Sequence, residues 1–130
     1  MDITITDESA IPVYKQIITQ VLSGLLQKKI IVNTPLPTIR QLASDLRLTN
    51  TTVAKAYQIL ERGKIIATGG RRGTFIHENA IENAARYLQE EVENQIDEFI
   101  SLQLKYGVSI KDLQKSFQTV MNKHIERSAL

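Results

Sequence analysis

Cysteine is absent from the 130 residues, and so is tryptophan. Without thiols there is no disulfide scaffold, no thiolate metal site and no cysteine nucleophile. Histidine is nearly absent. His77 and His124 stand far apart in the chain, so no multi-histidine metal site is expected. No apolar run approaches the roughly 18 residues of a membrane span. The start Met1-Asp2-Ile3-Thr4 lacks the basic stretch and apolar core of a secretory signal. A soluble cytoplasmic protein with no membrane contact is the expectation, as one domain or one domain with an appendage. Enzymatic features are missing too. Glu90 and Glu91 are neighbours in a helical stretch and point about 100° apart, so they do not pair. No serine, histidine and carboxylate cluster is visible. The run Gly69-Gly70-Arg71-Arg72-Gly73 lacks the spacing of a phosphate-binding loop. No catalytic residue, metal site or cofactor is expected.

What is present is divided in charge. The net charge is +2. Residues 1–76 hold ten Lys/Arg against five Asp/Glu, whereas residues 77–130 hold six against nine. A basic first part and an acidic second part suggest two tasks, one of them facing a polyanion.

The few prolines and glycines mark the boundaries of the first part. Ile3 and Ile5 alternate with polar residues, which predicts a short strand. Ser9 is a candidate cap and Pro12 suits a first helical turn. Val13, Ile17, Val21 and Leu25, widened by Ile18, Leu22 and Leu26, predict a helix from about residue 11 to 29. The stretch Asn33-Thr34-Pro35-Leu36-Pro37 breaks it. Thr38 and Gln41 then form a capping box before Ile39, Leu42, Ala43 and Leu46. Thr49 caps a further helix with an apolar face of Val53, Ala56, Tyr57 and Leu60, ending near Gly63. Two short helices with a tight connection read as a helix-turn-helix. Ile65-Ile66-Ala67-Thr68, the glycine-rich run 69–73 and Thr74-Phe75-Ile76 read as a β-hairpin. Helix, helix-turn-helix and hairpin together predict a winged helix-turn-helix over residues 1–76. Tyr57 faces the core by its spacing.

The second part, residues 77–130, has no glycine or proline between Glu78 and Tyr106. Ile81, Ala85, Leu88, Val92, Phe99, Leu102 and Tyr106 recur at spacings near three and four, with Gln95 in the remaining seam position. Glu90, Glu91, Glu93, Asp97 and Glu98 lie off that seam. After Gly107, Ser109 caps a last helix in which Ile110, Leu113, Phe117, Val120 and His124 repeat the pattern. Two amphipathic helices with open apolar stripes need a partner surface, and a second copy is the simplest one. The fold class is therefore mainly α with a small β-hairpin wing, followed by a two-helix dimerisation tail. Ile81, Leu88, Val92, Phe99, Leu102, Leu113, Phe117 and Val120 are its candidate dimer contacts. His77 reads as a linker residue.

The stretches Pro12-Val13-Tyr14-Lys15-Gln16-Ile17, 36–46, 49–61 and 71–76 resemble the GntR family of bacterial transcription regulators. The order and spacing match over roughly residues 10–76. The short helical tail resembles the YtrA-type subfamily, in which that tail is a dimerisation element. Repression by occlusion is favoured over activation, because no surface for a polymerase partner is evident; the resemblance implies a homodimer on a double-stranded, inverted-repeat operator. It also implies the contacts. Thr38 and Arg40 open the first short helix, where an arginine engages phosphate or a guanine edge. Thr49, Asn50, Thr51 and Thr52 open the recognition helix, with short side chains and free amides. Lys55, one turn on, either reaches DNA or stays solvated. Arg71, Arg72 and Gly73 form the wing, able to enter the minor groove or clamp phosphates. Asn50 and Ala54 stand where relatives commonly carry arginine. Arg47 and Lys64 stand where glycines are usual, and Arg47 costs about 1 kcal/mol if its backbone is left-handed. A small-molecule effector of unknown identity would have to act at the dimer interface or near residues 77–81. The alternative is a winged-helix protein-interaction module without specific DNA binding. A nonspecific or RNA-binding protein is a further rival, against which the 5% aromatic content speaks.

Overall fold

The computed structural model describes residues 2–129. The elements run α1 (Val13–Leu26), α2 (Ile39–Leu46), α3 (Asn50–Arg62), β1 (Ile66–Thr68), β2 (Thr74–Ile76), α4 (Ala80–Lys105) and α5 (Ile110–Ser128). The chain is thus mainly helical with one antiparallel hairpin, and it divides into two compact units, Met1–Gln89 and Glu90–Leu130.

In the first unit α1 packs on α3, and α2 packs on α3 as well. Ile17, Val21 and Leu25 of α1 and Val53, Ala56 and Leu60 of α3 are fully buried. These are the periodic apolar positions, so the core follows from the helical repeat. Helix α1 matches its apolar stripe and is shorter than the expected span of residues 11 to 29. Pro12 stands at the start with no side-chain cap. The Ser9 hydroxyl accepts instead from the Ile11 amide at 3.1 Å, so Ser9 organises the approach and does not cap the helix. At the other end the amides of Lys29 and Ile30 return to the Gly24 carbonyl at 2.8 and 3.0 Å, which closes the helix early.

The expected strand at residues 3–6 is not formed. Ile3 and Ile5 do pack against the core. Their segment is held, however, by side chains. Gln20 Oε1 accepts from the Thr4 amide at 2.9 Å, and its Nε2 donates to the Thr4 carbonyl at 2.7 Å. Gln16 does the same for Thr6, at 2.9 and 3.1 Å. Two glutamines one helical turn apart take the place of a neighbouring strand, so alternation of apolar residues alone was misleading.

Helices α1, α2 and α3 are each followed by a basic residue with positive φ: Lys28 at 60°, Arg47 at 57° and Lys64 at 56°. The left-handed turn lets the next amides reach back. Leu48 donates to Ala43 and Ile65 to Leu60, at 2.8 and 2.9 Å. The non-glycine conformation costs about 1–2 kcal/mol. A cation at a helix C-terminus offsets part of it, by about 0.3–1 kcal/mol.

The hairpin pairs Ile66 with Ile76, Ala67 with Phe75 and Thr68 with Thr74. Its first strand starts one residue later than the sequence pattern, because the Ile65 amide is used to close α3. The open edge of β2 is covered by the segment before α2. Asn33 donates to Ile76, Ile76 to Thr34, and Leu36 to Thr74, at 2.8–2.9 Å. Pro35 bridges Phe75 at a position where the ladder requires no amide donor. A single backbone network thus joins the wing to the entry of the helix-turn-helix.

His77 is more than a linker. Its amide donates to the Ile65 carbonyl at 3.0 Å, and its Nδ1 accepts from the Asn79 amide at 2.9 Å. The first turns of α4 then join the same core: Ala80 and Ala84 are buried there, and Tyr87 and Leu88 pack against it. Asn83 Nδ2 donates to the Lys64 carbonyl at 2.8 Å. In the second unit the rest of α4 turns at Gly107 (φ 92°) into α5, whose first turn is capped by Ser109 accepting from Asp112 at 3.1 Å. No described helix is long and apolar enough to cross a membrane.

Candidate nucleic-acid interface

Helix α2 begins with both halves of the capping box. The Gln41 amide donates to Thr38 Oγ1 at 3.1 Å, and Gln41 Oε1 accepts from the Thr38 amide at 2.9 Å. The side chain of Arg40 is exposed directly beside this cap. Arg47 closes α2, and one short turn later Thr49 caps α3 by accepting from the Thr52 amide at 3.3 Å. The two hydroxyls of Thr49 and Thr52 are also 3.0 Å apart. Thr52 is therefore half-buried and occupied by the cap, whereas Thr49, Asn50 and Thr51 are exposed. An uncrowded helix N-terminus with small polar side chains offers free amides and partial positive charge to phosphate.

The orientation of α3 is fixed from behind. Tyr57 is only 4% exposed, and its hydroxyl donates to the Pro37 carbonyl at 2.7 Å. Burial pushes its ionisation up to about 12. The ring is packing, as its spacing implied, and the hydroxyl ties α3 to the segment that launches α2. Sequence periodicity located the ring but gave no sign of this bond.

The wing tip is closed by backbone bonds: Gly69 to Gly73 at 2.9 Å, Arg72 to Gly69 at 2.9 Å, and Gly73 to Gly70 at 3.1 Å. Gly73 has φ 67° and ψ −142°, a combination open essentially to glycine. Gly69 is favoured for a different reason. A Cβ there would come within 3.0 Å of Phe75 Cε1. Arg71, Arg72 and Gly73 are exposed on this turn. The Arg72 guanidinium carbon lies 3.9 Å from the centroid of the Phe75 ring. On α3, Lys55 Nζ lies 4.0 Å from the centroid of the Tyr14 ring. The sequence pattern assigns neither aromatic residue to this surface. For Tyr14 no local signal exists, because its partner lies far along the chain. For Phe75 the three-residue spacing from Arg72 was available.

The tail's candidate contacts fall into different environments. Leu88 packs against the core of the first unit, and Leu113 is buried within the second. Ile81, Val92, Phe99, Leu102, Phe117 and Val120 remain largely exposed, Val92 by 51% and Val120 by 52%. Phe99 and Phe117 meet edge to face at 5.8 Å. With Val108, Leu113, Gln103 and Val120 they line an open apolar groove of about 430 Å³. No cluster of His, Cys, Asp or Glu able to hold a metal ion is found among the described residues.

The pattern of the bacterial regulatory proteins of the gntR family matches residues 13–76. The HTH-type transcriptional repressor YtrA of Bacillus subtilis (strain 168) is 34% identical over 113 residues, 87% of each chain. The chain belongs to the GntR family. A second relative, the HTH-type transcriptional regulator Rv1152 of Mycobacterium tuberculosis H37Rv, is 45% identical over 65 residues, half of this chain. The chain spans about half the length of that relative, 54%. A solved structure of YtrA from Sulfolobus acidocaldarius, a GntR-family transcription factor, aligns with TM-score 0.55 and 25% identity, covering 93% of this chain and 97% of that one. The likeness over the tail as well as the head places the chain in the YtrA-like branch of GntR. It is a DNA-binding winged-helix transcription regulator, of a family of regulators and not of enzymes.

Proposed function

We propose that the chain is a cytoplasmic, homodimeric repressor that binds an inverted-repeat operator. Residues 1–76 read the DNA, and residues 77–130 pair two copies. Each α3 lies in a major groove with Thr49, Asn50 and Thr51 at the base edges and phosphates. Thr38, Arg40 and Lys55 hold the flanking backbone, while the Thr52 hydroxyl maintains the cap. Arg71 and Arg72 reach the adjoining groove around the Gly73 turn. An asparagine at position 50 pairs with adenine through its N6 and N7, whereas an arginine there would favour guanine. The tail pairs through Ile81, Val92, Phe99, Leu102, Phe117 and Val120, with Leu88 and Leu113 supporting them from within. Two heads held at one spacing demand half-sites about one helical turn apart. Occupation of a promoter by such a dimer blocks polymerase.

The observation that carries this reading is the exposed, polar first turn of α3 on a helix whose opposite face is fully buried. Selection from a random duplex pool tests it, followed by anisotropy titration of the recovered duplex against salt. A recovered inverted repeat is expected, with affinity that falls steeply as salt rises. Enrichment of no sequence, with weak binding throughout, would overturn sequence-specific repression.

A further inference from the structure

Two cations of the proposed DNA surface rest on aromatic rings. Lys55 Nζ stands 4.0 Å above Tyr14 and the Arg72 guanidinium 3.9 Å above Phe75. Both distances fall well inside the range of a cation–π contact. Both rings are themselves held. Tyr14 sits in the first turn of α1, half-buried and packed against the core. Phe75 is fixed in the ladder opposite Ala67, with its ring edge against the Cβ-less Gly69. The cations, in contrast, are exposed. Lysine and arginine are the side chains with most rotamer freedom to lose on ordering. A ring face draws the cation by its quadrupole and leaves N–H donors directed elsewhere available to an anion.

We propose that Tyr14 and Phe75 are positioning residues for DNA binding. Each ring holds one cation, Lys55 on the recognition helix and Arg72 on the wing, in place before the phosphate arrives. The inference rests on the DNA reading above. It adds that α1 and β2, which touch no base, set the affinity by removing the ordering cost of two phosphate contacts. The same device serves the helix and the wing.

The test is a pair of double-mutant cycles on the full chain, read by anisotropy with a labelled duplex carrying the selected repeat. Tyr14→Leu and Lys55→Ala should each weaken binding by about two- to fivefold. The double variant should bind no worse than Lys55→Ala alone. Tyr14→Phe, which keeps the ring, should restore the affinity lost in Tyr14→Leu. Lys55→Ala should also lower the salt slope by about one. Phe75→Leu, Phe75→Tyr and Arg72→Ala form the second cycle with the same expectations. Unfolding curves guard against a merely structural effect, because a packing loss at Tyr14 would add to that of Lys55→Ala and would not be coupled to it. Additive losses, or full affinity in Tyr14→Leu, overturn the proposal. Wild-type binding with an unaffected Lys55→Ala and Arg72→Ala overturns it while the regulator reading stands. A wild-type chain without salt-dependent binding to any duplex overturns both.

Discussion

The two compact units solve the problem of apolar surface in opposite ways. In Met1–Gln89 the apolar faces of α1, α2, α3 and the hairpin close on one another, and even the first turns of α4 are drawn in through Ala80 and Ala84. Among the described residues of Glu90–Leu130 only Leu113 is buried, while Val92, Phe99, Leu102 and Val120 stay open along two helices. The second unit has the apolar repeat of a packed helix pair and too few neighbours to cover it. Charge divides along a similar line, with the basic surplus in residues 1–76 and the acidic one beyond. Under the proposed function, changes in the tail should alter assembly and changes at the DNA surface should alter binding, with little exchange between the two.

The largest effect expected from that separation is at Val120. Val120→Asp places a carboxylate on an apolar face, and burying it against a second copy costs several kcal/mol. Sedimentation should report a monomer. Operator affinity should fall by about 100-fold or more, because the second half-site is no longer linked to the first. The head should unfold at its usual temperature. A dimer that persists would move the contact away from this face.

Arg40→Ala probes the other side of the comparison. It should weaken operator binding by about 1–3 kcal/mol and lower the salt slope by about one, with the association state and melting temperature unchanged. Titrations at two salt concentrations read both quantities. An affinity that falls without change in salt slope would place Arg40 away from phosphate.

How much of this was legible in the sequence follows the same division. The helix-turn-helix was readable because its signals are local: the Thr38 and Gln41 box, the Thr49 cap and the apolar face of α3 lie within a few residues of each other. The repeat in the tail was readable as a pattern, but which positions are internal was not. Leu88 and Leu113 carry the same spacing as Val92 and Val120 and differ only in what lies opposite them. The false strand at residues 3–6 failed for a related reason. Its pairing partners, Gln16 and Gln20, are side chains of another element, and strand alternation says nothing about them. The bond from Tyr57 to Pro37 and the seat of Lys55 on Tyr14 are likewise long-range contacts.

The Tyr57 bond offers a smaller, pH-dependent test inside the head. Tyr57→Phe removes the 2.7 Å hydroxyl contact to Pro37 and should cost about 1 kcal/mol near neutral pH. The folded protein holds the Tyr57 proton up to about 12, against 10.0 for a free tyrosine. Burial disfavours the phenolate, so the advantage of the neutral phenol is complete below pH 10, and the wild type loses stability relative to Tyr57→Phe as pH rises towards about 12, by up to about 1.4 kcal/mol per pH unit. Urea unfolding of both proteins should show the gap closing near pH 11. A gap constant over that range would mean that the hydroxyl is free to ionise in the folded state.

The smallest effect concerns the turn itself. Arg47 holds φ 57° between α2 and α3, where a β-carbon strains the backbone by about 1–2 kcal/mol. Arg47→Gly relieves that strain. Against it stand the larger freedom of glycine in the unfolded chain, about 0.5–1 kcal/mol, and the lost cation at the end of α2, a few tenths. The balance is a stabilisation of about 0.5 kcal/mol, or a rise in melting temperature of about 2–4 °C for a unit of this size. Arg47→Asn should fall between the two, since asparagine tolerates the left-handed region better than arginine. Calorimetry of the three proteins would rank them. A fall in melting temperature for glycine with none for asparagine would mean that backbone freedom outweighs strain at this turn. A fall for both would mean that the guanidinium stabilises the end of α2 by more than its backbone costs.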